Sequence, residues 1–147
     1  MLPPPGPPEG LRVPVGLQLT QAARVVERAF DEALAVAGGS LPVWLILLNL
    51  KVVRPANQRD LAKAVGIREA TLTHHLATLE GRGLITRARE AANKRVQVVA
   101  LTAAGEAAFL RLRDAASAFD ARLRDGLDES DLRQLDALLG KLAANVA

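Results

Sequence analysis

Two short polar stretches contain most of the side chains that could do chemistry. Residues 68–78 offer a guanidinium, three hydroxyls and two adjacent imidazoles, and residues 87–95 offer four cations and an asparagine. Groups of these types hydrogen-bond base edges and phosphates, so the stretches favour nucleic-acid binding over catalysis. The candidate contact residues are Arg68, Thr71, Thr73, His74, His75 and Thr78 in the first stretch and Arg87, Arg89, Asn93, Lys94 and Arg95 in the second.

Positive charge is concentrated in the middle of the chain. The 147-residue sequence has a net charge of only +3. Residues 54–95 hold nine basic and four acidic residues, a net charge of +5, and the remainder is therefore −2. A local excess of cations is typical of a surface that faces a polyanion. We expect the middle third of the chain to form that surface.

Composition argues against several other classes of function. Aromatic residues make up 3% of the chain, which disfavours readers of single strands that stack bases on exposed rings. The absence of cysteine excludes disulfides, iron–sulfur clusters and thiol-based sensing within this chain. We expect no metal site, because His74 and His75 point about 100° apart on a helix and have no third ligand nearby.

No pattern in the sequence indicates an enzyme or a cofactor. A nucleophile paired with a base, a carboxylate dyad and a glycine-rich phosphate loop are all missing. The longest apolar run, residues 41–48, is far shorter than the 18 or so residues that a membrane span needs. No secretory signal is recognisable, so we expect cytoplasmic localisation.

The elements around the first polar stretch predict a helix-turn-helix. Asn57 fits the N-cap of a two-turn helix that Gly66 ends in the left-handed conformation. A second helix is predicted from about Arg68 to Glu80. Its apolar residues Leu72, Leu76 and Leu79 share one face, which leaves the threonines and histidines partly or wholly accessible.

The second polar stretch lies in a predicted β-hairpin. Residues 84–87 and 95–101 are rich in strand-forming types, and Asn93 is the best turn residue between them because it tolerates positive φ. A hairpin after a helix-turn-helix is typical of a winged helix, whose second helix enters the major groove of DNA. Among the wing cations, Arg95 is the best single candidate for a minor-groove contact.

Helical periodicity returns on both sides of the winged unit. Helices are predicted from Gln18 to Ala37 and from Leu41 to Val53, and two more begin at Thr102 and Asp128. Their apolar length exceeds what one small lobe can cover, which favours a homodimer. The first residues are rich in proline, so residues 1–16 are expected to form a disordered tail.

Two stretches of the sequence resemble a known protein family. The stretch QRDLAKAVGIREATLTHHLATLEGRGLITR, followed by NKRVQVVALTAAGEA, resembles the MarR family of bacterial transcription regulators over about residues 42–109, and LEGRGLI and LTAAG are its most diagnostic elements. The resemblance implies a homodimer with interlocked terminal helices that grips a pseudo-palindromic operator in double-stranded DNA. One departure is Asn93-Lys94-Arg95, because the family usually has Asp-x-Arg there.

These observations predict a mainly α fold with a small β-hairpin wing. Residues 17–147 are expected to form one MarR-like domain, in which residues 54–101 are the winged helix-turn-helix and residues 17–40 and 102–147 are dimerisation helices. The predicted function is a dimeric transcription regulator, a repressor released by a small-molecule effector. The alternative is a winged-helix protein that has lost DNA binding and serves as a protein-interaction or ligand-binding module.

Overall fold

The computed structural model describes residues 1–2, 5, 12–55, 57–89, 92 and 97–147. Within these residues the chain is mostly helical and has one small antiparallel sheet, which confirms the predicted fold class. The elements are α1 (Val15–Val36), α2 (Leu41–Leu48), α3 (Gln58–Val65), α4 (Glu69–Gly81), β1 (Ile85–Arg89), β2 (Gln97–Leu101), α5 (Ala103–Leu123) and α6 (Glu129–Val146).

Side-chain caps explain where several helices begin. The Asn57 Oδ1 atom accepts the Asp60 N–H at 2.8 Å, and the Thr102 hydroxyl accepts the Gly105 N–H at 3.0 Å. Asp128 and Asp131 form a reciprocal capping box at the start of α6. Asn57 and Asp128 therefore have the capping roles that the sequence indicates.

The first helix begins earlier than its apolar pattern indicates. α1 starts at Val15, where the Pro14 carbonyl accepts the Gln18 N–H at 3.0 Å. Val15 and Gly16 therefore lie in the first helical turn and not in the proline-rich tail. The rest of the tail prediction falls largely on residues 3–4 and 6–11, which lie outside the described residues.

The helix predicted from Leu41 to Val53 changes from α-helical to π-helical hydrogen bonding at Asn49. After α2 the chain continues as a π-helical turn, Asn49–Val53, in which the Arg54 N–H donates to the Asn49 carbonyl at 2.8 Å. The buried Asn49 side chain donates to the Leu45 carbonyl at 2.8 Å. Lys51 in this turn pairs with Glu106 of α5 at 2.8 Å. The turn is thereby attached to α5.

The hydrophobic core joins α1, α2 and α5 to the smaller elements. Leucine and isoleucine side chains fill most of it, and two aromatic pairs complete it. The Trp44 ring stacks on Phe109 with centroids 5.5 Å apart, and Phe30 stacks on Phe119 at 4.8 Å. The core residues with no more than 2% exposure are Leu34, Ile46, Leu47, Leu61, Leu72, Leu76, Leu79, Ile85 and Leu112.

Within the described residues, no single helix is both long enough and apolar enough to cross a membrane. α1 and the helical segment Leu41–Val53 reach the required length and hydropathy only when taken together, and they are bent by 75°.

The hairpin and α5 meet in a close contact between backbones. The Thr102 N–H donates to the Leu84 carbonyl at 3.1 Å, and the Thr102 hydroxyl donates to the Gly83 carbonyl at 2.6 Å. One turn later, the α-carbon of Gly105 packs so closely that an added Cβ would overlap the Leu84 carbonyl oxygen. A side chain at position 105 would therefore force α5 away from the hairpin.

We predict that Gly105→Ala lowers the free energy of unfolding by about 1–3 kcal/mol, because a rigid backbone carbonyl cannot move aside to relieve the overlap. Urea unfolding followed by circular dichroism measures the change. Gly81→Ala is the matched control, since a Cβ there meets open space, and it should stay within about 0.5 kcal/mol of wild type. Equal stability of the two variants would contradict the close approach.

Candidate nucleic-acid interface

The helix-turn-helix is built on a left-handed glycine. Gly66 ends α3 with φ at +80°, and the Gly66 and Ile67 N–H groups both donate to the Ala62 carbonyl at 2.9 and 3.1 Å. Ile67 is half-buried, and the exposed Arg68 occupies the N-cap position of α4 without a capping hydrogen bond from its side chain. This short turn carries the chain directly from α3 into α4, as the sequence indicates.

α4 buries one face and exposes a narrow polar ridge. Leu72, Leu76 and Leu79 are completely buried. The exposed residues Thr71, His74 and Thr78 follow at the i, i+3 and i+7 positions of one helical face. The leucines anchor the helix to the core, so the three polar side chains form a fixed surface that faces solvent.

Two of the predicted hydroxyl contacts already have partners inside the protein. The Thr73 hydroxyl donates to the Glu69 carbonyl at 2.9 Å and accepts from Gln58 Nε2 at 2.7 Å. The Thr78 hydroxyl donates to the His74 carbonyl at 3.2 Å. Thr73 thus holds α3 against α4, a role that its sequence position did not reveal.

The two histidines occupy different environments. His74 is exposed, and His75 is half-buried at the edge of the leucine face, as its position three residues after Leu72 implies. Their rings meet edge to face with centroids 6.2 Å apart. Among the described residues, no group of three or more potential metal ligands comes together. The two imidazoles therefore lie side by side on α4, one exposed and one half-buried.

The wing pairs β1 and β2 in a regular antiparallel register. Ile85 pairs with Leu101, Arg87 with Val99, and Arg89 with Gln97. Arg89 is exposed at the outer end of β1. The other wing candidates, Asn93, Lys94 and Arg95, lie outside the described residues, so their roles stay predictions.

Arg87 does not have the exposed position that the sequence suggested. Its Nη2 atom lies 3.1 Å from Glu80 Oε1, in the last turn of α4, and its side chain is only 18% exposed. Period-2 alternation from the buried Ile85 puts Arg87 on the inward face of β1, and this signal was available in the sequence. The hydrogen bond from Arg87 lowers the pKa of the Glu80 carboxyl below its usual value.

A separate cavity of ≈ 470 Å³ lies between α1, α2 and the turn of the helix-turn-helix. Arg24, Glu27 and Arg28 of α1 line one side, Leu45 of α2 forms part of the apolar wall, and residues 65–67 line the other side. Asp31, which also lines the cavity, accepts the Leu41 N–H at 2.8 Å. The cavity therefore contacts both a long helix and the turn that leads into α4.

Comparisons with known proteins agree with this arrangement. The model of the MarR family matches residues 40–96, which include α2, the helix-turn-helix and the beginning of the wing. The transcriptional regulator PA3341 is similar over 89% of this chain and 96% of its own, with 30% identity and a TM-score of 0.76. This chain belongs to the MarR family of transcriptional regulators. The predicted family is thereby confirmed, and LEGRGLI lies within the matched residues.

Other solved structures of similar fold contain ligands. The transcriptional repressor CouR, bound to a 23-mer DNA duplex, is 27% identical with a TM-score of 0.79, over 88% of this chain and 92% of its own. The MarR-family protein Rv2887 of Mycobacterium tuberculosis, in complex with salicylic acid, is 26% identical with a TM-score of 0.70, over 90% of this chain and 98% of its own. The MarR fold therefore extends to α1, α5 and α6, which lie beyond the segment that the family model matches.

The lowered pKa of Glu80 predicts a pH-dependent contribution to stability. A carboxyl whose pKa is lower in the folded state stabilises the protein above its ordinary pKa, and this stability disappears as the pH falls through the lowered value. We expect Glu80→Gln to be less stable than wild type at pH 7 and equally stable at a pH where Glu80 is protonated.

Urea unfolding of both proteins across the acidic range measures this difference. The Glu69→Gln variant provides the control, because Glu69 lies on the same helix and forms no ion pair within the described part of the chain. A stability difference between wild type and Glu80→Gln that stays constant down to strongly acidic pH would contradict the assignment.

Proposed function

We propose that this MarR-family regulator is a dimeric, sequence-specific repressor that binds double-stranded DNA and is released by a small-molecule effector. The observation that carries the proposal is the polar ridge of Thr71, His74 and Thr78 on α4, fixed in place by three buried leucines. An exposed helix of this kind fits the major groove, which is about 12 Å wide.

The proposed contacts differ in kind along the interface. The ridge offers hydroxyl, methyl and imidazole groups to base edges, with Arg68 at the start of α4 placed for guanine or phosphate. The wing cations Arg89, Lys94 and Arg95 supply backbone and minor-groove contacts. His75 and Thr73 stand beside the ridge and contribute less, since the first is half-buried and the second is hydrogen-bonded to Gln58. The relative CouR is bound to a DNA duplex, which supports double-stranded DNA as the ligand.

The proposed DNA-binding activity is tested by anisotropy titration against the upstream region of the protein's own gene. We expect Thr71→Ala to weaken operator binding by about 1 kcal/mol, or fivefold, and to leave binding to unrelated duplex unchanged, because base contacts carry the discrimination. Failure of the wild-type protein to bind any genomic fragment at low salt would overturn the proposal. A dimer without DNA affinity would then favour the alternative of a protein-interaction or ligand-binding module.

The contribution of the wing is tested by salt dependence. The logarithm of the binding constant should fall with the logarithm of salt at about −0.9 per phosphate contact, and Arg95→Ala should reduce the slope by about one contact. Arg113→Ala is the control, because it removes the same charge from α5, outside the winged unit. An unchanged slope in Arg95→Ala would remove this residue from the interface.

Exposed apolar side chains on α6 support a dimer. None of the residues of α6 is buried, and Leu135, Leu138 and Leu139 are 47%, 57% and 41% exposed. An apolar groove of ≈ 560 Å³ also lies between the N-terminus of α1 and the C-terminus of α6. Full burial of an exposed leucine contributes roughly 1.5–3 kcal/mol, and these side chains are about half exposed, so a second copy of the chain gains roughly half of that value from covering each of them. We therefore assign residues 17–40 and 102–147, together with the first turn of α1, to dimerisation, and residues 54–101 to DNA binding.

The dimer proposal predicts that Leu138→Glu dissociates the protein, because a carboxylate buried in an apolar interface without a partner costs several kcal/mol. Sedimentation equilibrium measures the shift towards monomer. Val52→Glu is the matched control, since Val52 is an equally exposed apolar residue in the π-helical turn, away from α6. A Leu138→Glu protein that remains as dimeric as the control would place the interface elsewhere.

The cavity beside Arg24 is the proposed effector site. Four charged side chains of α1 line the cavity, namely the guanidinium groups of Arg24 and Arg28 and the carboxylates of Glu27 and Asp31. Asp31 accepts the Leu41 N–H, and Arg24 is able to pair with the carboxylate of an amphipathic ligand whose apolar part contacts Leu45. The relative Rv2887 is in complex with salicylic acid, a ligand of this class. We expect salicylate to raise the melting temperature and to weaken operator binding, with both effects reduced in Arg24→Ala and kept in Arg113→Ala. An identical response of these two variants would exclude Arg24 from the site, and no stabilisation by any aromatic carboxylate would leave effector release unsupported.

A further inference from the structure

We propose that the ion pair between Glu80 and Arg87 is a positioning device that sets the angle of the wing relative to α4. The inference rests on the proposed DNA binding, and it changes the role of Arg87 from a DNA contact to an internal support. Neither residue touches DNA in this proposal. Both act through the cations that the wing carries at its outer end.

The geometry connects the two DNA-facing elements directly. Glu80 lies in the last turn of α4, the helix that presents the polar ridge, and Arg87 lies at the centre of β1, opposite Val99. The distance between Arg87 Nη2 and Glu80 Oε1 is 3.1 Å, and the two side chains are 18% and 42% exposed. The pair is therefore partly shielded from solvent, and screening by salt is weaker than for a fully exposed pair.

Two attachment points are needed to define the direction of a two-stranded wing. The first is at its base, where Thr102 hydrogen-bonds Gly83 and Leu84. The second is the Glu80–Arg87 pair, which lies three residues, or roughly 10 Å, further along the strand. Without the second point the hairpin can pivot about its base, because an isolated pair of strands has little stability of its own.

Arg87 is poorly suited to leave Glu80 for a phosphate. Its Nε atom is buried and has no hydrogen-bond partner among the described residues. Glu80 therefore provides a hydrogen-bond acceptor for Nη2 of a guanidinium group that is largely buried. Removing the carboxylate would leave this buried charge uncompensated, which favours a pair that stays closed in both free and DNA-bound protein.

The proposal and simple electrostatics predict opposite changes in DNA affinity when Glu80 is neutralised. Glu80 is a negative charge near a DNA-facing surface, so its neutralisation alone should strengthen DNA binding. If Glu80 positions the wing, its neutralisation should weaken binding instead. Glu69 lies on the same helix and is exposed, and no ion pair to it is found in the described ranges, so Glu69→Gln reports the electrostatic effect alone.

The experiment compares wild type, Glu80→Gln, Arg87→Gln and the double variant by anisotropy titration with operator DNA at several salt concentrations. We expect each single variant to bind about two- to fivefold more weakly, with an unchanged salt slope, because no phosphate contact is lost. The double variant should bind no more weakly than either single variant, which is the sign of one shared interaction. Glu69→Gln should bind as tightly as wild type or more tightly.

A readout without DNA keeps this inference separate from the proposed function. Amide ¹⁵N relaxation of the free protein should show greater mobility of residues 85–89 and 97–101 in Glu80→Gln than in wild type and Glu69→Gln. If wild type fails to bind DNA, the proposed function is wrong, and the relaxation experiment still tests the attachment of the wing. Tighter binding by Glu80→Gln, a salt slope reduced by about one in Arg87→Gln, or unchanged mobility of the wing would each overturn the inference.

Discussion

The contact between α5 and the chain reversal at Gly83-Leu84 determines how the rest of the structure is arranged. Thr102 uses its N–H and its hydroxyl to bind two successive carbonyls, and it also caps α5 by accepting the Gly105 N–H. Gly105 then allows the helix backbone to lie directly against Leu84. One small cluster thus ends α4, aligns both strands of the wing and begins α5. The motifs LEGRGLI and LTAAG are separated in sequence but form the two sides of this single contact.

α4 presents a fixed polar ridge of threonine and histidine side chains because its inward face and its C-terminal end are both held in place. Its leucines bury one face completely, and its C-terminal end is held both by Glu80 to the wing and by Arg82, which donates to the Gly38 carbonyl at 3.3 Å. Charged residues stand near the ends of the helix, whereas its exposed centre carries threonine and histidine. In the proposed complex with DNA, such a division would leave discrimination between bases to the ridge and most of the electrostatic attraction to the cations around it.

Much of the fold could be predicted because it depends on local chemistry. The cap at Asn57, the left-handed Gly66 and the box that begins at Asp128 are short-range signals, and the leucine spacing of α4 places its inward face correctly. The π-helical turn after α2 was missed, since it depends on how Asn49 and Lys51 meet their neighbours in space.

The candidate site was predicted less completely, for the same physical reason. Residue type identifies Thr73 and Arg87 as capable of binding DNA, but Gln58 and Glu80 already occupy them. Alternation along β1 could have placed Arg87 inward, whereas nothing in the local sequence brings Gln58 to Thr73 across the turn. Polar residues that can bind a ligand are equally able to bind one another, and only the tertiary structure decides between the two.

α5 connects the proposed DNA-binding and dimerisation regions without a flexible linker. Its first turn packs on Leu84, Leu112 at its centre packs against Gly39 in the turn after α1, and Phe119 near its end stacks on Phe30. A continuous helix of 21 residues is about 31 Å long and resists bending, so the orientation of the winged unit follows the orientation of α5. In a dimer built on α1, α5 and α6, the spacing between the two α4 helices is then set by packing at the far end of α5. A molecule bound between α1 and the turn at residues 65–67 would contact both the helix that packs on α5 and the turn that leads into α4.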